Sequence, residues 1–275
     1  MDSHPDASEL DARYAAAREI AQAAAALGLD YYRRRDSLTV LHKGGDLQDL
    51  VSVADRALED FIREELGRRF PGDGLLGEEG GAQALGARYL WVIDPIDGTT
   101  CFLNGLHNWC VSIGLLVDGR PWLGAIADPN HNELFHGCRG RGAFCNDTPL
   151  RASEATHVSQ GVTAVGTQHR LDSGPFLAFL HGLLDQGGMF LRTGSGALMT
   201  AYVAAGRLIG YHETHFKSWD CAAALVLVEE AGALANDFFR DDGLLRGNPF
   251  LVAAPGVYRQ LEALVGPSLH LPVPE

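Results

Sequence analysis

The chain is predicted to fold as a mixed α+β and α/β structure in two halves with layered sheets, and three observations predict it. Its 275 residues can hold one large domain or two modest ones. The first half opens with helical patterns and then runs into consecutive short strands. The second half alternates strand and helix in the manner of crossover units. Polar residues 153–160 separate these regimes, so the halves are expected at 1–150, an α+β part, and 151–275, an α/β part.

Residues 7–35 are alanine-rich, with Tyr14, Ala17, Ile20 and Ala24 on one helical stripe. Ser8 with Asp11 three residues on reads as a cap, and Gly28 stands near the end. Residues 37–42 read as a short strand broken by Gly44-Gly45. Residues 49–70 form a second helix: Leu50, Val53, Ala57, Leu58, Phe61, Ile62 and Leu66 mark one face, and Pro71-Gly72 stop it. Asp55 falls inside it, where an aspartate is ordinarily solvated. Residues 74–81 make a short strand ending in Glu78-Glu79 within a glycine cluster, for which an acidic turn is the plainer reading. Tyr89 to Ile93 is an apolar strand. Residues 109–117 and 121–127 form a hairpin about Asp118-Gly119, followed by shorter strands at 132–138 and 142–145. Beyond the boundary, strands 162–166, 189–192, 208–212, 233–237 and 251–254 alternate with helices 175–186, 197–205, 220–231 and 256–265, and the proline-containing tail is expected to be extended.

Composition sets the function classes. Hydrophobic residues make up 46% and charged residues 21%, a soluble globular balance, and no apolar run approaches the ~20 residues of a membrane span. The net charge of −13 argues against a nucleic-acid partner, although most of that acid can be plain surface. The five cysteines show no C-x-x-C pair, and no secretory signal is visible, so reduced thiols in a cytoplasmic protein are expected.

The most specific stretch is Trp91-Val92-Ile93-Asp94-Pro95-Ile96-Asp97-Gly98-Thr99-Thr100. Pro95 fixes its own φ and disfavours helix at Asp94, so Asp94 and Asp97 can turn toward one point beyond the strand end. Two hard oxygen donors placed in this way suit Mg²⁺, and Gly98 lets a ligand approach the backbone closely. A lone D-P-x-D would be a strand followed by an Asx turn, but the full string is expected by chance on the order of once in tens of millions of positions.

This string resembles the metal-binding signature of the inositol monophosphatase family of Mg²⁺-dependent, lithium-sensitive phosphatases. Further blocks appear in the family's order between about Lys43 and Ala254. Leu76-Gly77-Glu78-Glu79 resembles a block whose first glutamate ligates metal. Trp219-Asp220 followed by Glu230-Ala231-Gly232 resembles the block whose aspartate, at a helix start, completes a second metal site. Asp55, in Leu50-Val-Ser-Val-Ala-Asp55, matches the aspartate that pairs with the motif threonine, here Thr99. The resemblance implies an αβαβα sandwich of the inositol monophosphatase and fructose-1,6-bisphosphatase type, a homodimer, and two or three Mg²⁺ per site. The ligands it implies are Glu78, Asp94, the Ile96 carbonyl, Asp97 and Asp220, with Asp94 as the bridge. Thr99, with Asp55 as proton acceptor, would orient the attacking water, and Glu78 shares this catalytic group. The amides of Gly98 and Thr99, if they open a helix, would meet phosphate oxygens.

On the substrate side, Glu213 matches a position that accepts hydrogen bonds from polyol hydroxyls, although it could also be an exposed strand glutamate. The turn Gly194-Ser195-Gly196-Ala197 resembles one whose backbone lines the same pocket; an ordinary helix entry is the alternative. Asp97 would also touch substrate. Thr100 stands where related nucleotide phosphatases more often carry lysine. Cys101 replaces a usual asparagine, and Gly80-Gly81 replaces a more typical serine. Lys43 matches a lysine near the metal site or is a surface residue. His212-Glu213-Thr214-His215 lacks the H-E-x-x-H spacing and reads as strand, so zinc is rejected. The expected activity is hydrolysis of a small phosphate monoester, inositol monophosphate first. Histidinol-phosphate phosphatase and fructose-1,6-bisphosphatase are enzyme alternatives, and a regulatory protein-interaction role is the non-enzyme one.

Overall fold

Asp6, rather than Ser8, starts the first helix, because its carboxylate accepts from the amides of Ser8 and Glu9 at 2.8 and 3.2 Å. The structure, a computed structural model, describes residues 5–37, 40–42, 50–168, 171–266 and 269. Lys43, the Gly44-Gly45 break and the extended tail lie outside them. Helix α1 (Ala7–Arg33) is followed by strands β1 (Val40–His42) and β2 (Leu50–Ser52), which pair antiparallel. The expected helix at 49–70 therefore begins later, as α2 (Val53–Arg69). Leu50 fits the helical period, but pairing with β1 takes it into a ladder instead. Asp55 is inside the helix as expected, but in the first turn of α2 rather than one turn further on.

Strands β3 (Gly74–Gly77), β4 (Gly81–Gln83) and β5 (Tyr89–Asp97) come next, then the short helix α3 (Thr99–Leu103). They are followed by β6 (Cys110–Val117), β7 (Arg120–Asp128), β8 (Glu133–Cys138), β9 (Ala143–Cys145) and β10 (Thr148–Pro149). These strands from β3 onward form one sheet in the order β10-β9-β8-β7-β6-β5-β3-β4, antiparallel except at β3–β5. The chain continues through β11 (Val162–Gly166), α4 (Gly174–Asp185), β12 (Met189–Leu191), α5 (Gly196–Ala204) and β13 (Gly210–Phe216). It ends with α6 (Ser218–Glu230), β14 (Leu234–Ala235), α7 (Gly243–Arg246), β15 (Asn248–Ala253) and α8 (Tyr258–Val265). The second sheet runs β12-β11-β13-β15-β14, with β11 parallel to both neighbours. The strand expected at 208–212 extends to Phe216, across an irregularity between Glu213 and Phe216.

Helices α1 and α2 cover one face of the first sheet, α5 and α6 lie between the sheets, and α4 and α8 cover the far face of the second. This is the five-layer αβαβα arrangement. The inner layer is tight because Gly114 and Gly124 face α6: a Cβ there would stand 2.8 Å from the Ala223 amide nitrogen and 2.1 Å from the Ala223 carbonyl oxygen. The alanines of α6 descend onto a sheet surface without side chains, which brings the start of α6 beside the end of β5. Among the described residues no helix is long and apolar enough to cross a membrane.

Candidate metal centre

Three carboxylates meet where β5 ends and α6 begins. One oxygen from each of Asp94, Asp97 and Asp220 lies within 4.8 Å of the others. Asp94 and Asp97 arrive at the end of a wholly buried strand, and the register with β6 shifts between them, which frees the intervening backbone from the ladder. Asp94 accepts from the Ile96 amide at 3.0 Å, the Asx turn that Pro95 prepares. Asp220 lies at the third position of α6, where its carboxylate accepts from the Lys217 amide at 3.2 Å. Glu78, whose amide donates to the Ile93 carbonyl at 3.3 Å, stands beside this trio rather than within it.

Asp97 is held differently. Its Oδ2 accepts from the Ser195 hydroxyl at 2.5 Å, the Ala197 amide at 2.7 Å and the Cys110 thiol at 3.7 Å, while Oδ1 accepts from the Gly196 amide at 3.2 Å. The Gly196 and Ala197 amides at the start of α5 are thus turned to Asp97. The Ser195 side chain, for which the sequence held no expectation, links the two halves of the cleft.

The electrostatics follow from this packing. Burial first, then the charges of Glu78, Asp97 and Asp220, push Asp94 well above the usual carboxylate range. Burial and then Asp97, Glu78 and Glu213 do the same to Asp220. Asp97 is also raised by burial, against the pull of its bonds to Ser195, Ala197 and Gly196. Three hard anionic oxygens crowded together in this way are short of a counter-charge, which fits a hard divalent cation. The Ile96 carbonyl accepts from the Thr99 hydroxyl at 3.1 Å and keeps a second lone pair.

Thr99 begins α3, directly after Gly98, whose φ of 98° is in the left-handed region. A Cβ at Gly98 would also stand 2.7 Å from the Asn108 carbonyl oxygen, so only glycine fits the turn. The Thr99 hydroxyl also lies 3.2 Å from Asp55 Oδ1. One hydroxyl proton cannot serve both acceptors, so the bonds to Asp55 and Ile96 are alternatives. Asp55 Oδ2 takes the amide and hydroxyl of Ser52 at 2.7 and 2.6 Å, a capping box that fixes the carboxylate at 1% exposure. Burial raises Asp55 above its ordinary value, while its bonds to Ser52 and Thr99 oppose the rise.

Farther along the cleft, Glu213 lines a cavity of about 60 Å³ with Gly166, Arg192, Ser195, Gly196 and Tyr211. The buried Tyr211 hydroxyl donates to Glu213 Oε2. Burial lifts Glu213 to about 7, against the Tyr211 bond that lowers it. Tyr211 was not anticipated, although residues two apart in a strand share a face and the pattern was readable. Cys101 donates to the Thr193 carbonyl at 3.0 Å at the edge of this pocket. His212 packs on Phe179 and bonds the Phe250 carbonyl, and neither it nor His215 belongs to the metal-like group found among the described residues.

Residues 9–269 match the inositol monophosphatase family. The chain is 36% identical over 242 residues to Nus factor SuhB of Haemophilus influenzae, spanning 86% of this chain and 90% of that one. It is 42% identical over 192 residues to an inositol-1-monophosphatase of Mesorhizobium japonicum, spanning 69% and 72% of the two chains. The structure of extragenic suppressor protein suhB from Bartonella henselae superposes with a TM-score of 0.86 at 31% identity, over 94% of this chain and 99% of that one. The inositol monophosphatase of Anabaena gives 0.80 at 32%, over 94% and 96%.

Proposed function

This chain belongs to the inositol monophosphatase family, and on that premise we propose that it is a Mg²⁺-dependent phosphomonoesterase whose first substrate is inositol monophosphate. The observation that carries the reading is the convergence of Asp94, Asp97 and Asp220 within 4.8 Å, next to the Thr99–Asp55 pair. Asp94, Asp97, Asp220, Glu78 and the Ile96 carbonyl would hold the cations, two or three in number. Asp97 would use Oδ1, since Oδ2 already takes three donors. Bound Mg²⁺ supplies charge neutralisation to the phosphate dianion and makes water a stronger acid.

The chain's own groups do the rest. Thr99, hydrogen-bonded to Asp55, presents its hydroxyl oxygen as an acceptor, so that it can aim a water at phosphorus and pass the proton toward Asp55. A carboxylate raised by burial is the better base for this purpose, because its value moves toward the working pH. The Gly98 and Thr99 amides, at the start of α3, would meet phosphate oxygens. Glu213, fixed by Tyr211, accepts hydroxyls of the alcohol that leaves.

Phosphate release from myo-inositol 1-phosphate, histidinol phosphate and fructose 1,6-bisphosphate, with and without Mg²⁺, tests the reading. Mg²⁺-dependent release greatest from the inositol ester is expected, with Li⁺ at tens of millimolar inhibiting. Greater release from either rival reassigns the substrate, and no release from any of the three removes the phosphatase. A cytoplasmic homodimer is part of the same proposal; a monomer in light scattering would remove the dimer. The name Nus factor carried by several relatives supports a second reading, a macromolecular role alongside catalysis.

A further inference from the structure

Glu59 lies on the covered side of α2 with 1% of its surface exposed, an expensive place for a charge. Its oxygens take three hydrogen bonds, each of 2.7 Å: Oε2 from the Glu79 amide, and Oε1 from the Gly80 amide and from Arg63 Nε. Arg63, one turn along the helix, reaches on through Nη2 to the Gly81 carbonyl at 2.6 Å. The tip of the β3–β4 hairpin is therefore tied to α2 at three successive residues, 79 to 81. Side chains are missing where the tie passes. A Cβ on Gly77 would stand 2.2 Å from Glu59 Oε1, and one on Gly80 would stand 2.7 Å from Arg63 Nε. On the other side, the Glu78 amide is bound to the β5 carbonyl of Ile93.

Glu78 is thus the residue gripped between two anchors, its own amide on β5 and the next two amides on α2. Glycine-rich turns lose much conformational entropy on ordering. Core packing holds this tip on the buried β3 side but not on the β4 side, which is exposed throughout. The Glu59–Arg63 pair supplies the hold there.

We propose that Glu59, braced by Arg63, is a positioning residue that holds Glu78 beside Asp94 and so preforms the cation site. The proposal rests on the reading of Glu78 as a ligand. In Glu59→Gln an amide NH₂ replaces one acceptor and faces a backbone donor, which releases half of the grip. Outer partners of ligands typically contribute about 10–100-fold to metal affinity.

Calorimetric titration of the whole protein with Mg²⁺ tests this, together with the Mg²⁺ concentration giving half-maximal phosphate release and a melting curve without Mg²⁺. Glu59→Gln is expected to weaken Mg²⁺ binding by about tenfold or more, with activity recovering as Mg²⁺ is raised. Arg63→Lys keeps the net charge but loses the planar fork, and should weaken binding by about threefold. It also serves as the variant that decides if Glu59→Gln fails to fold. A lowered melting temperature with an unmoved Mg²⁺ midpoint in both variants would make the tie merely structural and overturn the proposal. Glu78→Gln separates the two layers. If it weakens Mg²⁺ while the Glu59 and Arg63 variants do not, only the positioning role falls. If it leaves Mg²⁺ binding unchanged, the ligand assignment falls and the positioning role with it.

Discussion

The two ends of the cleft are built by opposite means. At the proposed cation end, Asp94 and Asp220 each accept one backbone amide and otherwise face the charges of neighbouring carboxylates, Glu78 and Asp97 first. At the alcohol end, Glu213 is bonded by the buried Tyr211 hydroxyl, and the neighbouring Ser195–Ala197 turn is tied to Asp97. The first end stores an unfavourable field that a cation would relieve. The second is satisfied in advance, so its shape is fixed before substrate arrives. Asp97 belongs to both, which makes it the place to break the contrast.

The largest effect is expected from Asp97→Asn. Loss of a preorganised electrostatic group should lower kcat about a thousandfold, measured as phosphate release at saturating Mg²⁺. This variant should also melt earlier, because the carboxylate anchors Ser195 and the first amides of α5. Asp94→Asn should be equally inactive yet melt later without Mg²⁺, by about 1 kcal/mol of stability, since it removes one of the crowded charges. Activity within tenfold of wild type in Asp97→Asn would sink the metal assignment.

Thr99→Val comes next. Removing a positioned proton carrier costs about a hundredfold in kcat, while Mg²⁺ binding should stay as it was. An equal loss of Mg²⁺ affinity would mean that Thr99 acts through the Ile96 carbonyl it can also bond, and not on water.

How readable each end was follows from how its groups are spaced along the chain. Asp94, Asp97 and Thr99 fall within one local turn, so Pro95 and Gly98 announced their geometry. The partners of Asp97 at Ser195, Gly196 and Ala197 lie about a hundred residues away, and only sheet stacking brings them there. The helical period of Leu50 and Val53 starts the helix at 49 and so places Asp55 one turn in, past the cap it belongs to. The Ser52-x-x-Asp55 cap that corrects this was present but masked by the continuing apolar face. The αβαβα layering emerged from the alternation in the second half and from the resemblance, whereas the glycines of β6 and β7 that let α6 approach gave no sequence signal of their own.

Glu213→Gln sharpens the alcohol end. The value of about 7 for Glu213 lies above its ordinary 4.5, so the stability from its neutral form is present below 4.5 and lost as pH rises through about 7. Hydroxyl recognition needs the opposite form, the anion. KM of the wild type should therefore fall between pH 6 and pH 8, and the variant should lack that component and show a KM about tenfold higher at pH 8. Comparing the two chains removes the titration of the phosphate ester itself. Parallel pH profiles would show that Glu213 does not meet the substrate.

The smallest effect is expected at Cys101, at the wall of the proposed alcohol end. Its thiol donates to the Thr193 carbonyl, and Gly194 packs so closely that a Cβ there would stand 2.6 Å from the sulfur. Cys101→Ser keeps a donor for that carbonyl and takes up less room, so kcat and KM for inositol phosphate should stay within about twofold, as for a substitution that breaks no network. Asparagine, which the resemblance leads one to expect here, is larger. Cys101→Asn must therefore displace the Thr193–Gly194 backbone and, through Ser195, disturb Asp97. If Cys101→Asn raises KM while Cys101→Ser does not, the cysteine serves by being small, and the fixed shape of the alcohol end is what the tight contact with Gly194 protects. If neither substitution moves KM, the pocket wall lies elsewhere and the alcohol end is less rigid than its hydrogen bonds imply.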